Sequence, residues 1–255
     1  SAVQSVVSVG NINNLKMKDA NYFPATIANY ILGGGGEARL FMNLREKNGF
    51  TYGAYSNMSA SKYSPEFSAD ASVRNEVTDK AVKEFMNEIN GISTVKADEL
   101  ANAKAKLKGS FIMSLEQPAT IARFAVSQKV NDLPADFYTN YLKSIDKVTV
   151  ADVSNAVKAT VYPSQSRIFI AGKASDISES LEKLGYPVKY FDANANPVAK
   201  PTAQKVDANV TVASVADKYI AAIGGKVNLA KVSSYSMTAT MSMQGRNIDF
   251  KTVKA

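Results

Sequence analysis

The chain has 255 residues, 45% of them hydrophobic and 21% charged, and its 30 Lys and Arg against 23 Asp and Glu give a net charge of +7. These proportions fit one large globular domain or two of ordinary size, and they exclude general disorder, a collagen-like repeat or a coiled coil as the whole chain. There is no Cys and no His, which excludes disulfides, thiol nucleophiles, a Ser-His-Asp triad and every zinc site built on thiolate or imidazole.

Val3 to Gly10 is β-branched and predicts a strand that ends at Gly10-Asn11. Tyr22, Phe23, Thr26, Ile27, Tyr30 and Ile31 then recur at three- and four-residue spacing, which predicts an amphipathic helix. Gly33 to Gly36 end it. Leu40, Phe41 and Leu44 form the apolar face of a second helix, with Arg39, Glu46 and Lys47 off that face and Asn48-Gly49 as its stop signal. The period next changes to two. Thr51–Ala60 and Glu66–Val73 predict two strands joined through Ser61–Pro65.

Helical stripes follow over Val77–Ile89, Leu100–Leu115, Pro118–Gln128, Phe137–Ile145 and Ala151–Val161, Pro118 standing where a helix can begin. Arg167–Ala171 predicts a returning strand, Asp176–Leu184 a short helix and Val188–Phe191 a last short strand. Residues 1–191 therefore predict an α+β fold, an antiparallel sheet with helices packed mainly on one face.

Residues 192–209 hold two prolines and no apolar period, and predict a linker. Residues 210–255 offer one helix, Val212–Ile223, and two strands, Tyr235–Met243 and Asn247–Val253, about a Gln244-Gly245-Arg246 turn. So little structure buries little core, and this tail is read as a truncated fragment of a second α/β module. Its YIAAIGG stretch, Tyr219–Gly225, and its alternating strands resemble the opening of a lipoprotein-carrier-like module of bacterial envelopes, which implies a periplasmic or cell-envelope location. The chain starts without Met and without a charged-then-apolar leader, so it is expected to be a processed or excised segment whose sheet partners lie upstream. No apolar run reaches the roughly 20 residues of a membrane helix. The scattered lysines, without interleaved aromatics, argue against a nucleic-acid surface.

The glycine run satisfies G-x-G-x-x-A at Gly33, Gly35 and Ala38. Dinucleotide binding through that pattern needs a strand before it and an acid about 20 residues on. Here a helix precedes it, and no Asp or Glu lies between Glu46 and Glu66. A Walker A loop fails too, because Gly172-Lys173 and Gly225-Lys226 lack the following Ser or Thr. Two readings of the run remain, a flexible turn between helices or a place where another chain approaches closely. The turn is the better reading of the run, while four successive glycines, which cost more backbone entropy than a turn requires, point to the second.

The stretch Ile31–Ser56, ILGGGGEARLFMNLREKNGFTYGAYS, resembles the inverted-zincin peptidases, the family of pitrilysin, insulysin and the mitochondrial processing peptidase. Members commonly read L-G-G-G, then S-R-L-F, then N-L-R-E-K-x-G-L-T-Y-x-x-x-S. Glu37-Ala38 is the departure, where many members carry small polar residues. The resemblance implies two homologous α+β halves facing each other as a clamshell. One half holds zinc through H-x-x-E-H. The other lacks the metal and supplies an Arg and a Tyr that reach across to the substrate. Without His this chain resembles the second kind, and Arg45 and Tyr52 fall on the positions of that pair. By the same resemblance this chain has no cofactor of its own. Zinc is expected in a homologous partner half, on the same polypeptide or a separate chain, with Gly33, Gly34, Gly35 and Gly36 along a peptide substrate.

Chemistry supports those residue types. Attack of a zinc-bound water on a peptide carbonyl builds negative charge on oxygen, and fixed donors aimed there lower the barrier. A guanidinium is a permanent cation and a phenol a neutral donor. The competing expectation is that Arg45 pairs with a surface acid and Tyr52 packs in the core. The competing function is a non-enzymatic core-type subunit that kept the fold for assembly or peptide binding.

Overall fold

The computed structural model describes residues 3–202, 210–243 and 246–254. They fall into two compact units, one within Ser1–Thr202 and the other within Ala203–Ala255.

The first unit is built on a four-stranded antiparallel sheet of β1 (Gln4–Ile12), β2 (Thr51–Met58), β3 (Glu66–Arg74) and β4 (Arg167–Ala171), in the order β2-β3-β1-β4. Alternation assigns its two faces. Val7, Val9, Phe67, Ala69 and Val73 are buried on one, while Val6 and Phe169 are exposed on the other. The register sets Val7 beside both Ala71 and Ile170, so the buried rows of three strands coincide.

Against the buried face pack α1 (Tyr22–Gly33), α2 (Thr78–Gly91), α3 (Ala97–Ser114), α5 (Tyr141–Lys147) and α6 (Val150–Thr160), with α4 (Pro118–Val130) following α3 and α7 (Ala174–Glu182) following β4. Ile27 and Leu32 of α1, Phe85 and Ile89 of α2, Leu100 of α3, Ile145 of α5 and Val153 and Val157 of α6 share one core with the strands. Helices cover one face, as the alternation predicts. Buried Asn11 locks β1 to the far end of α6: its amide donates to the Thr160 carbonyl at 2.9 Å, and its Oδ1 accepts from the Tyr162 N–H at 2.9 Å. Every polar atom of that buried amide thereby finds a partner.

Three stretches differ from the periodicity. Phe137–Ile145 becomes helical only at Tyr141, because Phe137 is held by rings: it stacks on Phe23 at 5.5 Å and lies edge-on to Tyr138 at 5.1 Å. Phe41–Lys47 is a π-helical turn rather than an α-helix. The last short strand is only β5 (Tyr190–Phe191), which pairs with β6 (Pro197–Val198) around a turn where the Asp192 carboxylate accepts from the Asn194 and Asn196 N–H groups. That small hairpin occupies the start of the expected linker, and 203–209 lies outside the described residues.

The second unit holds α8 (Val212–Ala222), α9 (Gly225–Leu229), β7 (Tyr235–Met243) and β8 (Arg246–Lys254). Gly224 and Gly225, at φ 115° and 79°, turn the chain between its helices, a conformation only glycine adopts without cost. β7 and β8 pair antiparallel from Tyr235–Lys254 to Met243–Arg246; the Gln244-Gly245 part of the expected turn lies outside the described residues. No described residue of this unit is buried. Among the described residues no helix of either unit is long and apolar enough to cross a membrane.

Candidate functional site

The glycine run, Arg45 and Tyr52 all lie on the passage from the end of α1 into β2. Gly33 seats α1 directly on β2. A β-carbon there would stand 2.2 Å from the Ser56 amide nitrogen, and Ser56 Oγ ties the two elements by donating to Asn29 Oδ1 at 2.8 Å. At Gly34 a β-carbon would stand 2.6 Å from Tyr30 Cα. The constraint then relaxes: Gly35 would meet only the Tyr30 ring, its hydroxyl nearest at 3.3 Å, and Gly36 nothing within 4 Å. None of the four has positive φ. Contact explains the first two glycines and leaves the last two open.

Arg39 anchors the next stretch. Its Nε and Nη2 both reach the Glu99 carboxylate at 2.7 Å, Nη1 donates to the Gly91 carbonyl at 3.1 Å, and Nη2 to the Thr94 carbonyl at 2.8 Å. The fork satisfies a carboxylate and the turn between α2 and α3 together. The Arg39 hydrogen bonds hold the Glu99 carboxyl below the usual range, and the same bonds raise the Arg39 guanidinium. Asn43 continues the anchoring, donating to Glu84 at 2.9 Å and Glu88 at 2.6 Å on α2.

The π-helical turn buries Phe41 and Leu44 and turns Arg45 outward. Its wider bonding shows at the exit, where the Asn48 N–H reaches back to the Asn43 carbonyl at 3.1 Å. The Arg45 guanidinium carbon sits 4.7 Å from the Phe41 ring centroid, the cation–π geometry that i,i+4 spacing permits. Its one ionic neighbour among the described residues is Glu46 at 3.4 Å, and the two side chains keep 46% and 51% of their exposure. An exposed pair of this kind contributes about 1 kcal/mol at most.

Gly49, at φ 60°, reverses the chain, and Arg74 Nη1 donates to its carbonyl at 2.9 Å. β2 then opens with a bulge. Thr51 faces Val73 and Ala54 faces Ala71, so Tyr52 and Gly53 together oppose the single residue Ser72. Bulges bend an edge strand and re-aim a side chain. Tyr52 is 87% exposed, and its hydroxyl makes no hydrogen bond among the described residues. The expectation that it packs in the core is wrong: the bulge carries it out of the inward-facing row. The Phe41 and Tyr55 rings, 6.1 Å apart, link the Arg45 end to the strand segment that Gly33 touches. No hydrogen bond joins Arg45 to Tyr52 among the described residues.

Sequence reasoning assigned Phe41 to the core and passed over its second role beneath Arg45, although the i,i+4 spacing was a usable signal. Thr51 and Arg74 were missed, because their parts depend on a register no spacing reveals. As a donor set, Arg45 and Tyr52 can stabilise developing negative charge on an oxygen. Among the described residues no group of three or more His, Cys, Asp or Glu could hold a metal ion.

Residues 4–107 match the family model described as the peptidase M16 inactive domain, a span that includes every residue of this site. The structure of a peptidase M16 inactive domain from Pseudomonas fluorescens is 25% identical with a TM-score of 0.63, over 67% of this chain and 41% of that one. The inactive peptidase domain of a Bordetella parapertussis protein is 14% identical with a TM-score of 0.58, over 67% of this chain and 93% of that one. The periplasmic protease PqqL from Escherichia coli is 16% identical with a TM-score of 0.56, over 67% of this chain and 19% of that one. This chain thus spans about two fifths of the Pseudomonas chain it matches.

Proposed function

From the match of residues 4–107 to the peptidase M16 inactive domain, the non-metal-binding half that the Ile31–Ser56 resemblance implies, we propose that this chain completes the active site of a zinc-dependent endopeptidase and is silent alone. The observation that supports it is the contrast within one connection: the side chains of Arg39, Asn43, Asn48 and Ser56 are tied down by hydrogen bonds, while Arg45 and Tyr52 face solvent with donors to spare. The zinc, held by H-x-x-E-H in a homologous partner half, would supply the activated water. Arg45 then offers a fixed positive charge and Tyr52 a phenolic proton to the carbonyl oxygen as it becomes an oxyanion. Gly35 and Gly36 leave the backbone bare beside them, so a peptide can approach the run Gly33–Gly36 closely, while Gly33 and Gly34 hold the run in place. The partner half lies on the same polypeptide or on a separate chain. The periplasm or cell envelope is the proposed location, supported by the fold shared with a periplasmic protease.

The test is turnover of the assembled enzyme. Tyr52→Phe removes one hydroxyl from an exposed ring and leaves melting unchanged, yet it should cut kcat by about 10²–10³, the cost of losing one oxyanion donor. Arg45→Lys keeps the charge without the fork and should also slow turnover. Full activity in both variants would favour the core-type subunit kept for assembly.

A further inference from the structure

Of the two proposed donors, Arg45 is supported from below by Phe41, whereas the Tyr52 hydroxyl has no hydrogen-bond partner among the described residues. A side chain so exposed is aimed by its backbone alone, and its backbone is the bulge. The hydroxyl of Thr51 is what closes that bulge. Its Oγ1 donates to the carbonyl of Ser72, the single residue that Tyr52 and Gly53 oppose, at 2.7 Å, with the Gly53 carbonyl also in reach at 2.9 Å. The same oxygen accepts from the Gly53 N–H at 3.2 Å. One side chain therefore bonds the strand opposite and the far side of the irregularity, spanning the two residues that share one place in the ladder. A β-carbon at Gly53 would stand 2.8 Å from the far end of the Tyr55 ring, so a larger residue there would push that ring aside.

We infer that Thr51 is a positioning residue for Tyr52, its hydroxyl fixing the bulge that directs the phenol toward the substrate; this rests on the reading of Tyr52 as an active-site donor. Paired regularly from Ala54 back toward Thr51, the same sequence would set Tyr52 opposite Val73 in the inward-facing row, so the bulge decides whether Tyr52 can serve at all. Without the Thr51 clamp the Tyr52-Gly53 pair is held only by its neighbours in the ladder, and the phenol samples more than one direction.

Thr51→Val replaces the hydroxyl by a methyl and keeps strand propensity, while Thr51→Ser keeps the hydroxyl. Both are made in the full chain, assembled with the zinc-bearing half and assayed on a mixture of internally quenched fluorogenic peptides. Thr51→Val should lower kcat by on the order of 10- to 10²-fold, the effect of a misplaced group, with KM little changed and Thr51→Ser close to wild type. In a Tyr52→Phe background the same Thr51→Val change should cost almost nothing more, because the hydroxyl it would have aimed is gone. With 3-fluorotyrosine in the isolated chain, the Tyr52 resonance, assigned from Tyr52→Phe, should shift or broaden in Thr51→Val and not in Thr51→Ser. An unmoved resonance with wild-type kcat in Thr51→Val overturns the inference, and so does an equal loss in the Tyr52→Phe background, which would mean that Thr51 acts otherwise. Full turnover in Tyr52→Phe itself is a different failure: it removes the donor reading on which this inference stands.

Discussion

Two ends of one connection behave in opposite ways. At the α1 end, Gly33, Gly34 and Arg39 are fully engaged, two by backbone contact and one by four hydrogen bonds. At the β2 end, Arg45 and Tyr52 are left facing solvent: among the described residues Arg45 has a long contact to Glu46 and the Phe41 ring beneath it, and the Tyr52 hydroxyl has no hydrogen bond. Arg39 and Arg45 are six residues apart and chemically identical, so nothing intrinsic separates a structural arginine from a free one. The difference lies in what the fold places opposite each. It teaches that the anchored end is the means by which the free end is held still, since a donor aimed at an oxyanion contributes only if its scaffold does not reorganise.

The largest effect on stability is therefore expected at Arg39. Arg39→Ala leaves the Glu99 carboxylate and the Gly91 and Thr94 carbonyls without their donor. Breaking a fully buried pair costs about 3–5 kcal/mol. These side chains keep 18% and 25% exposure, so about 2 kcal/mol is expected from urea denaturation followed by circular dichroism. The pH dependence sharpens the assignment. Glu99 is held low chiefly by the Arg39 hydrogen bonds, so its folded value lies below its unfolded one. The contribution is complete above the unfolded value, about 4.3, and is lost as pH falls through the folded value. The gap between wild type and Arg39→Ala should be widest near neutrality and narrow under strong acid to the part owed to the Gly91 and Thr94 carbonyls. A gap independent of pH would mean that the Glu99 pair contributes nothing and Arg39 acts through those carbonyls and packing.

Gly33→Ala comes next. Alanine is the better helix former by about 1 kcal/mol, but its β-carbon would meet the backbone of β2 at 2.2 Å. Overpacking of that kind costs typically about 1–3 kcal/mol, so a net loss near 1 kcal/mol is expected as a lower melting temperature. A rise in stability would mean that α1 and β2 separate easily, and the anchored end would lose its meaning.

The sequence made the frame readable because the frame obeys periods. Alternation in Phe67–Val73 and the stripe from Val77 to Ile89 are direct records of burial, and β3 and α2 follow them. Arg45 and Tyr52 were legible only through the motif around them, since an isolated Arg or Tyr carries no spacing signal. The bulge at Tyr52 depends on the register of β2 against β3, and the π-helical turn on a bonding choice that apolar spacing barely distinguishes from an α-helix. The tail shows the opposite case. Tyr235, Met237, Ala239, Met241 and Met243 alternate as a half-buried strand should, and β7 forms, yet the described hairpin buries none of them. Periodicity reports a face suited to burial, and burial itself needs the rest of a core.

The smallest effect belongs to the free end, and it is the one that separates the two ends most cleanly. Arg45→Ala gives up a cation–π contact of about 0.5–1 kcal/mol at an exposed site and one long contact to Glu46. Alanine returns part of that through helix propensity, so the net change should fall within about 0.5 kcal/mol, the range of ordinary surface substitutions. Gly36→Ala should be as quiet, because a β-carbon there meets nothing within 4 Å. Both melting curves should overlay the wild type, while Arg39→Ala and Gly33→Ala shift visibly in the same buffer. In the assembled peptidase the order should reverse, with Arg45→Ala among the slowest variants despite its unchanged stability. If Arg45→Ala instead melts as early as Arg39→Ala, the β2 end is as structural as the α1 end, and the donors there are not free to serve a substrate.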